Sequence, residues 1–151
     1  MKYKEVTLLL VEDDEIDVMA TKKALKDLRI GNPIHLAKNG LEALEAMRGE
    51  NGVEKIPTPY IVLLDLNMPK MGGLEFLDII RNDQDLKSTI VFVMTTSEAE
   101  SDIWAAYDKN IAGYIVKSNT GDSFNAAMEM LEHYWKIVEI PADGQKTAFY
   151  N

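Results

Sequence analysis

Tyr60-Ile61-Val62-Leu63-Leu64-Asp65, running on into Leu66-Asn67-Met68-Pro69, decides the architecture. The apolar run has strand length and no polar alternation, which suits a strand covered on both faces in a parallel sheet. It stops at a carboxylate and a proline-containing turn. Three more runs end the same way. Val6 to Val11 leads into Glu12-Asp13-Asp14, Ile90 to Met94 into Thr95-Thr96-Ser97, and Gly113 to Val116 into Lys117. Open parallel sheets bind ligands beyond the carboxyl ends of their strands. Acids, hydroxyls and one amine are therefore expected along a single sheet edge.

Working outward, strands are expected over 6–11, 33–37, 60–65, 90–95 and 112–116, with helices over 15–29, 40–48, 73–82, 98–108 and 120–138. The first helix shows Ile16, Met19, Ala20, Lys23, Ala24 and Leu28 on a common side at three-to-four spacing, the second Leu41, Leu44 and Met47, and the third Leu74, Phe76, Leu77 and Ile80. Five alternations of strand and helix predict an α/β fold with a doubly wound, five-stranded parallel sheet and helices on both faces. One domain over 1–140 and a tail over 141–151 account for the chain. Arg48 to Pro59, with two glycines and two prolines, reads as an extended surface loop.

Composition narrows the chemistry. There is no cysteine, which excludes disulfides, zinc thiolates and thiol catalysis, and the two histidines, His35 and His133, lie far apart. A formal net charge of −9 opposes direct binding to nucleic acid or to an anionic membrane. No apolar stretch approaches the roughly 18–20 residues of a membrane span. Residues 1–5 lack the apolar core of a signal peptide, so a cytoplasmic location is expected.

The strand-end residues suit a metal-assisted transfer of phosphate onto a carboxylate. Magnesium takes oxygen ligands, commonly one or two carboxylates plus waters. Asp13 and Asp65 can supply the carboxylates, Glu12 can reach through water, and the backbone carbonyl of Asn67 can join as the chain turns. Without a cation such acids raise each other's pKa. Asp65 is then the nucleophile for an acyl phosphate. Lys117 can pair with phosphate oxygens as a point charge, and Thr95 can donate its hydroxyl. Taken singly, each position has a plainer use: acids after a strand cap the next helix, a role assigned to Asp14 that Glu12 or Asp13 could share, and a lysine there is normally solvated. Four strand ends with compatible chemistry favour function.

Over residues 5–138 the chain resembles the bacterial response-regulator receiver domain, the CheY-like family. Five ordered pieces carry the likeness: Leu10-Val11-Glu12-Asp13-Asp14, Asp65-Leu66-Asn67-Met68-Pro69, Gly72-Gly73-Leu74-Glu75, Met94-Thr95-Thr96-Ser97 and Gly113-Tyr114-Ile115-Val116-Lys117. The resemblance implies a flavodoxin-like sheet in the order 2-1-3-4-5. It implies that Asp65 accepts phosphate from a histidine kinase or phosphotransfer protein, with Glu12 and Asp13 as the acidic pair around Mg2+. Thr95 and Tyr114 become the switch residues and Lys117 the phosphate-pairing lysine. The loop over 48–59 and the ending Phe124…Tyr134-Trp135…Pro141 are similar to single-domain regulators paired with bacterial phytochromes. Two positions depart from the family pattern. Gly72 stands where aspartate is common, and Ser118 replaces the proline after Lys117, where a cis bond would cost about 2.5–4 kcal/mol.

A phosphoacceptor with at most autophosphatase activity is therefore expected, acting on an unknown downstream protein. A haloacid-dehalogenase-type phosphatase is the enzymatic alternative, but its second acid would stand where Asn67 is. A degenerate, purely binding receiver is the other, and it would have lost one of the acids or Lys117. Self-association is expected through the fourth helix, fifth strand and fifth helix. There Phe124, Ala127, Met128, Leu131, Trp135 and Val138 can cover the sheet with help from Trp104 and Ala105, leaving Ile103, Tyr107, Met130, Tyr134 and Ile137 as surplus apolar surface.

Overall fold

The computed structural model describes residues 5–117 and 121–140. The chain alternates β1 (Thr7–Val11), α1 (Glu15–Asp27), β2 (Ile34–Ala37), α2 (Gly40–Arg48), β3 (Tyr60–Leu64), α3 (Gly73–Arg81), β4 (Val91–Thr95), α4 (Glu100–Asp108), β5 (Gly113–Val116) and α5 (Gly121–Ile137). All pairings are parallel, in the order β2-β1-β3-β4-β5. The expected elements and strand order are present, with bounds trimmed by a residue or two. The tail over 141–151, Ser118 and the bond that precedes it lie outside the described residues.

Strand alternation divides the core. Leu9, Val11, Val62, Leu64, Val91 and Val93 face one way and pack against α2, α3 and α4 through Ala43, Met47, Phe76, Leu77, Ile80 and Ala106. Leu8, Leu10, Ile61, Leu63, Phe92 and Met94 face the other way, against Val18 and Leu25 of α1 and Met128, Leu131 and Trp135 of α5. The three central strands are buried throughout. This is why they read as continuous apolar runs rather than alternating ones.

Several faces differ from expectation. α1 buries Val18, Thr21, Ala24 and Leu25, while Ile16 and Met19 are 77% and 70% exposed. Thr21 can be buried because its hydroxyl donates to the Asp17 carbonyl at 3.0 Å, and a polar residue satisfied within its own helix disguises the inward stripe. In α4, Ala106 points inward and Trp104 outward, 69% exposed; residues two apart do not share a helix face. Ile103 is half-buried. Val138 falls beyond the last turn of α5 and is exposed. Tyr134, expected on the outer side, stands edge-on to Phe92 with ring centroids 4.9 Å apart. In α2, Leu41 is exposed while Leu44 and Met47 are buried.

The 48–59 loop lies at the surface but is fastened down. Ile56 is buried and its N–H donates to the Ala46 carbonyl at 3.0 Å. Asn51 donates to Glu45 at 2.7 Å, and Arg48 bonds Asp83 at 3.0 Å. Arg81, at the end of α3, gathers four carbonyls: Lys109 at 2.6 Å, Lys87 and Thr89 at 2.8 Å each, and Asn110 at 3.1 Å. It ties the connections on either side of α4 and β4 to one helix end.

Candidate functional site

Register brings the chemistry together. Val11 pairs with Leu64, so the residues after β1 and β3 leave the sheet side by side. Thr95 closes β4 opposite Val116, which places Lys117 just past it; the Lys117 N–H donates to the Thr95 carbonyl at 2.7 Å. Asp14 caps α1, accepting from Ile16 N at 2.8 Å and Asp17 N at 3.2 Å. That cap frees Glu12 and Asp13 from helix-capping duty.

Glu12, Asp13 and Asp65 each place a carboxylate oxygen within 4.8 Å of the others. Glu12 is 3% and Asp65 8% exposed, whereas Asp13 faces solvent. Burial pushes the Glu12 carboxyl up to about 7, with the Asp65 charge adding to the shift and Lys117 opposing it. A cluster of three hard oxygen donors at such spacing fits a divalent cation. Such an ion would offset the repulsion among the acids.

Lys117 supplies the counter-charge. Its ammonium donates to Glu12 Oε1 and, at 3.0 Å, to Asp17 Oδ2. Burial pulls the Lys117 pKa down, but the hydrogen bonds to Glu12 and Asp17 and the Asp65 charge hold it above its ordinary value. The ammonium therefore points into the acidic cluster rather than into solvent.

Thr95 is fully buried, and its Oγ1 accepts from the Ser97 N–H over a long 3.4 Å. Tyr114 is half-buried and its hydroxyl donates to the Ser97 carbonyl at 2.9 Å. Ser97 Oγ donates to Asp102 at 2.6 Å, joining this loop to the first turn of α4. Burial raises the Tyr114 pKa, with the Asp102 and Asp65 charges acting the same way against the Ser97 bond. Thr95 and Tyr114 thus share one partner, Ser97.

Gly73 makes the tightest approach. A Cβ there would sit 2.6 Å from the Asp65 carbonyl oxygen and 2.7 Å from Leu66 Cα. Its N–H donates to the Leu66 carbonyl at 3.0 Å. The start of α3 is pressed against the backbone that carries Asp65.

Glu12, Asp13, Asp65 and Lys117 come together as expected, with Asn67, Thr95 and Tyr114 on adjoining segments. Asp17 was not anticipated, although a carboxylate one turn into a helix that starts at a strand end is a legible signal. Nor was the Ser97–Asp102 bond, which links side chains of ordinary loop composition.

The family model described as the response regulator receiver domain matches residues 8–129. The response regulator Rcp1 of Synechocystis is 34% identical over 136 residues, covering 89% of this chain and 92% of that protein. The crystal structure of its Mn2+-bound form superposes with a TM-score of 0.81 at 33% identity, over 91% of this chain and 99% of that one. The phosphorylated cyanobacterial phytochrome response regulator RcpA superposes at 0.79 and 30% identity, over 92% of this chain and all of that one. Similarity in sequence extends to the probable methanogenesis regulatory protein FilR2 of Methanothrix harundinacea, 31% identical over 85% of this chain and 82% of that protein.

Proposed function

The chain belongs to the response regulator receiver domain family, and on that footing we propose that it is a phosphoacceptor of a two-component relay, taking phosphate on Asp65 from a histidine kinase or phosphotransfer protein. The observation that carries this reading is the buried Asp65 carboxylate, held with Glu12 and Asp13 in one cluster beside the Lys117 ammonium. An oxygen of Asp65 attacks phosphorus as the donor's phosphorus–nitrogen bond breaks, and the histidine nitrogen leaves with the bonding electron pair. Asp13, Asp65, the Asn67 carbonyl and, through water, Glu12 would hold Mg2+. When bound, the ion neutralises the carboxylates and the phosphoryl oxygens. Lys117 pairs with a phosphoryl oxygen, Thr95 donates its hydroxyl to another, and Tyr114 responds through Ser97.

The product then signals through a switched protein-binding surface, with at most autophosphatase activity of its own. A cytoplasmic location goes with this reading; no helix among the described residues is long and apolar enough to cross a membrane. Likeness to phytochrome response regulators makes a phytochrome-type kinase the first donor to try. A second copy of this chain is proposed to pair through α4, β5 and α5, where Trp104, Tyr107, Met130 and Ile137 are exposed. Asn67 disfavours the haloacid-dehalogenase alternative. Retention of all three acids and Lys117 disfavours a degenerate receiver.

The test is incubation with acetyl phosphate and magnesium, read by intact mass. Wild type gains one phosphate, whereas Asp65→Asn gains none and EDTA abolishes the gain. Label that survives in Asp65→Asn moves the site elsewhere.

A further inference from the structure

We propose that Asp17 is a positioning residue that holds Lys117 back from Asp65 and sets how readily that lysine is given to a phosphoryl group. The inference rests on the phosphoacceptor reading and deepens it. An ammonium carries three protons. Here Lys117 directs bonds to Glu12 and, at 3.0 Å, to Asp17, while Asp65 acts on it through charge.

The two carboxylates that hold Lys117 are not equivalent. Glu12 belongs to the cluster that fits a cation; Asp17 does not. Were a cation to draw on Glu12, Asp17 would be the remaining carboxylate hydrogen-bonded to the lysine. Asp17 is also rigidly mounted. Its N–H donates to the Asp14 cap and its carbonyl accepts from Thr21, both within the first turns of α1. The Lys117 side chain is 11% exposed and that of Asp17 36%, so the pair is only partly screened by water. An ammonium turned toward a phosphoryl oxygen on Asp65 is shared with the Asp17 carboxylate, now 3.0 Å from it. Asp17 thus competes with the phosphoryl group for the same ammonium and slows its arrival on Asp65. The plainer use of an acid in the first turn is to stabilise the helix dipole. That use predicts no dependence on Lys117, and the difference makes the proposal testable.

Phosphorylation by acetyl phosphate with magnesium is followed by intact mass in four chains: wild type, Asp17→Asn, Lys117→Ala and the double variant. Asp17→Asn should be labelled about two- to fivefold faster, the range expected from releasing one partly exposed ion pair. The gain should vanish in the Lys117→Ala background, because the competition no longer exists. Equal or slower labelling of Asp17→Asn overturns the proposal. So does an acceleration that persists at full size without Lys117, which would mark a general field or helix effect. Asp65→Asn run alongside separates the two levels. If wild type takes no phosphate on Asp65, the phosphoacceptor reading falls and this proposal with it. If wild type is labelled there and Asp17→Asn matches its rate, only the role of Asp17 falls.

Discussion

Thr95 has no exposure to water, and the contact that holds its hydroxyl is a long one from the Ser97 N–H. A hydroxyl that only accepts one long bond keeps its own proton to offer to a phosphoryl oxygen, and the carbonyl of the same Ser97 accepts from Tyr114. Thr95→Ala should therefore still gain phosphate mass, while the fluorine resonance of a fluorotyrosine-labelled Tyr114 stops moving on phosphorylation. A Tyr114 signal that moves as in wild type would place the switch elsewhere. Asp83 allows a test by pH. Burial pushes its pKa up, but the Asp85 N–H and the Arg48 guanidinium outweigh burial and hold it below its ordinary 3.8. A depressed carboxyl stabilises the fold above the unfolded value and loses that contribution as pH falls through the folded one. Asp83→Asn should be destabilised by about 1 kcal/mol at neutral pH, with the gap closing below 3.8. Urea midpoints at several pH values would check it, and a gap that widens in acid contradicts the assignment.

Elements are placed by a few close contacts. Gly73→Ala would drive a methyl into the Asp65 carbonyl and Leu66 Cα. Both are backbone, so α3 must shift and carry the phosphoacceptor loop with it. A loss of about 1–3 kcal/mol is expected, together with slower labelling by acetyl phosphate; wild-type stability and rate would show that α3 adjusts freely. Arg81 spans carbonyls from two connections in a fork geometry that lysine cannot reproduce. Arg81→Lys should cost about 2 kcal/mol in chemical denaturation. The observed phase of α1 makes a paired prediction. Ile16→Ser and Met19→Ser lie on the exposed side and should each cost under about 0.5 kcal/mol, whereas buried Leu25→Ala should cost about 2–4 kcal/mol. Comparable losses at all three positions would mean that the helix face is misplaced.

At the scale of the whole molecule, α4 and α5 flank the edge strand β5 and expose Trp104, Tyr107, Met130 and Ile137. Light scattering should show a dimer favoured by phosphorylation, and Trp104→Ser with Ile137→Ser should give a monomer that still takes phosphate. A wild type that is monomeric in both states assigns the patch to another partner. Tyr134 is a poor probe of that surface because it packs on Phe92. The amino-acid sequence by itself determined the five parallel strands and that Glu12, Asp13, Asp65 and Lys117 follow their carboxyl ends. Strands buried on both faces must be continuously apolar, and chemistry placed after them must meet at one edge. Only the tertiary structure decided which side of α1 and of α4 is inward. Thr21 satisfies its hydroxyl locally and passes as polar, while Ile16, Met19 and Trp104 are apolar without being buried. Only the tertiary structure decided the partners of Lys117, because Asp17 lies 100 residues away along the chain. Apolar pattern reports what a segment must hide; which charged groups then share a proton or an ammonium is set by distances that exist only once the strands are side by side.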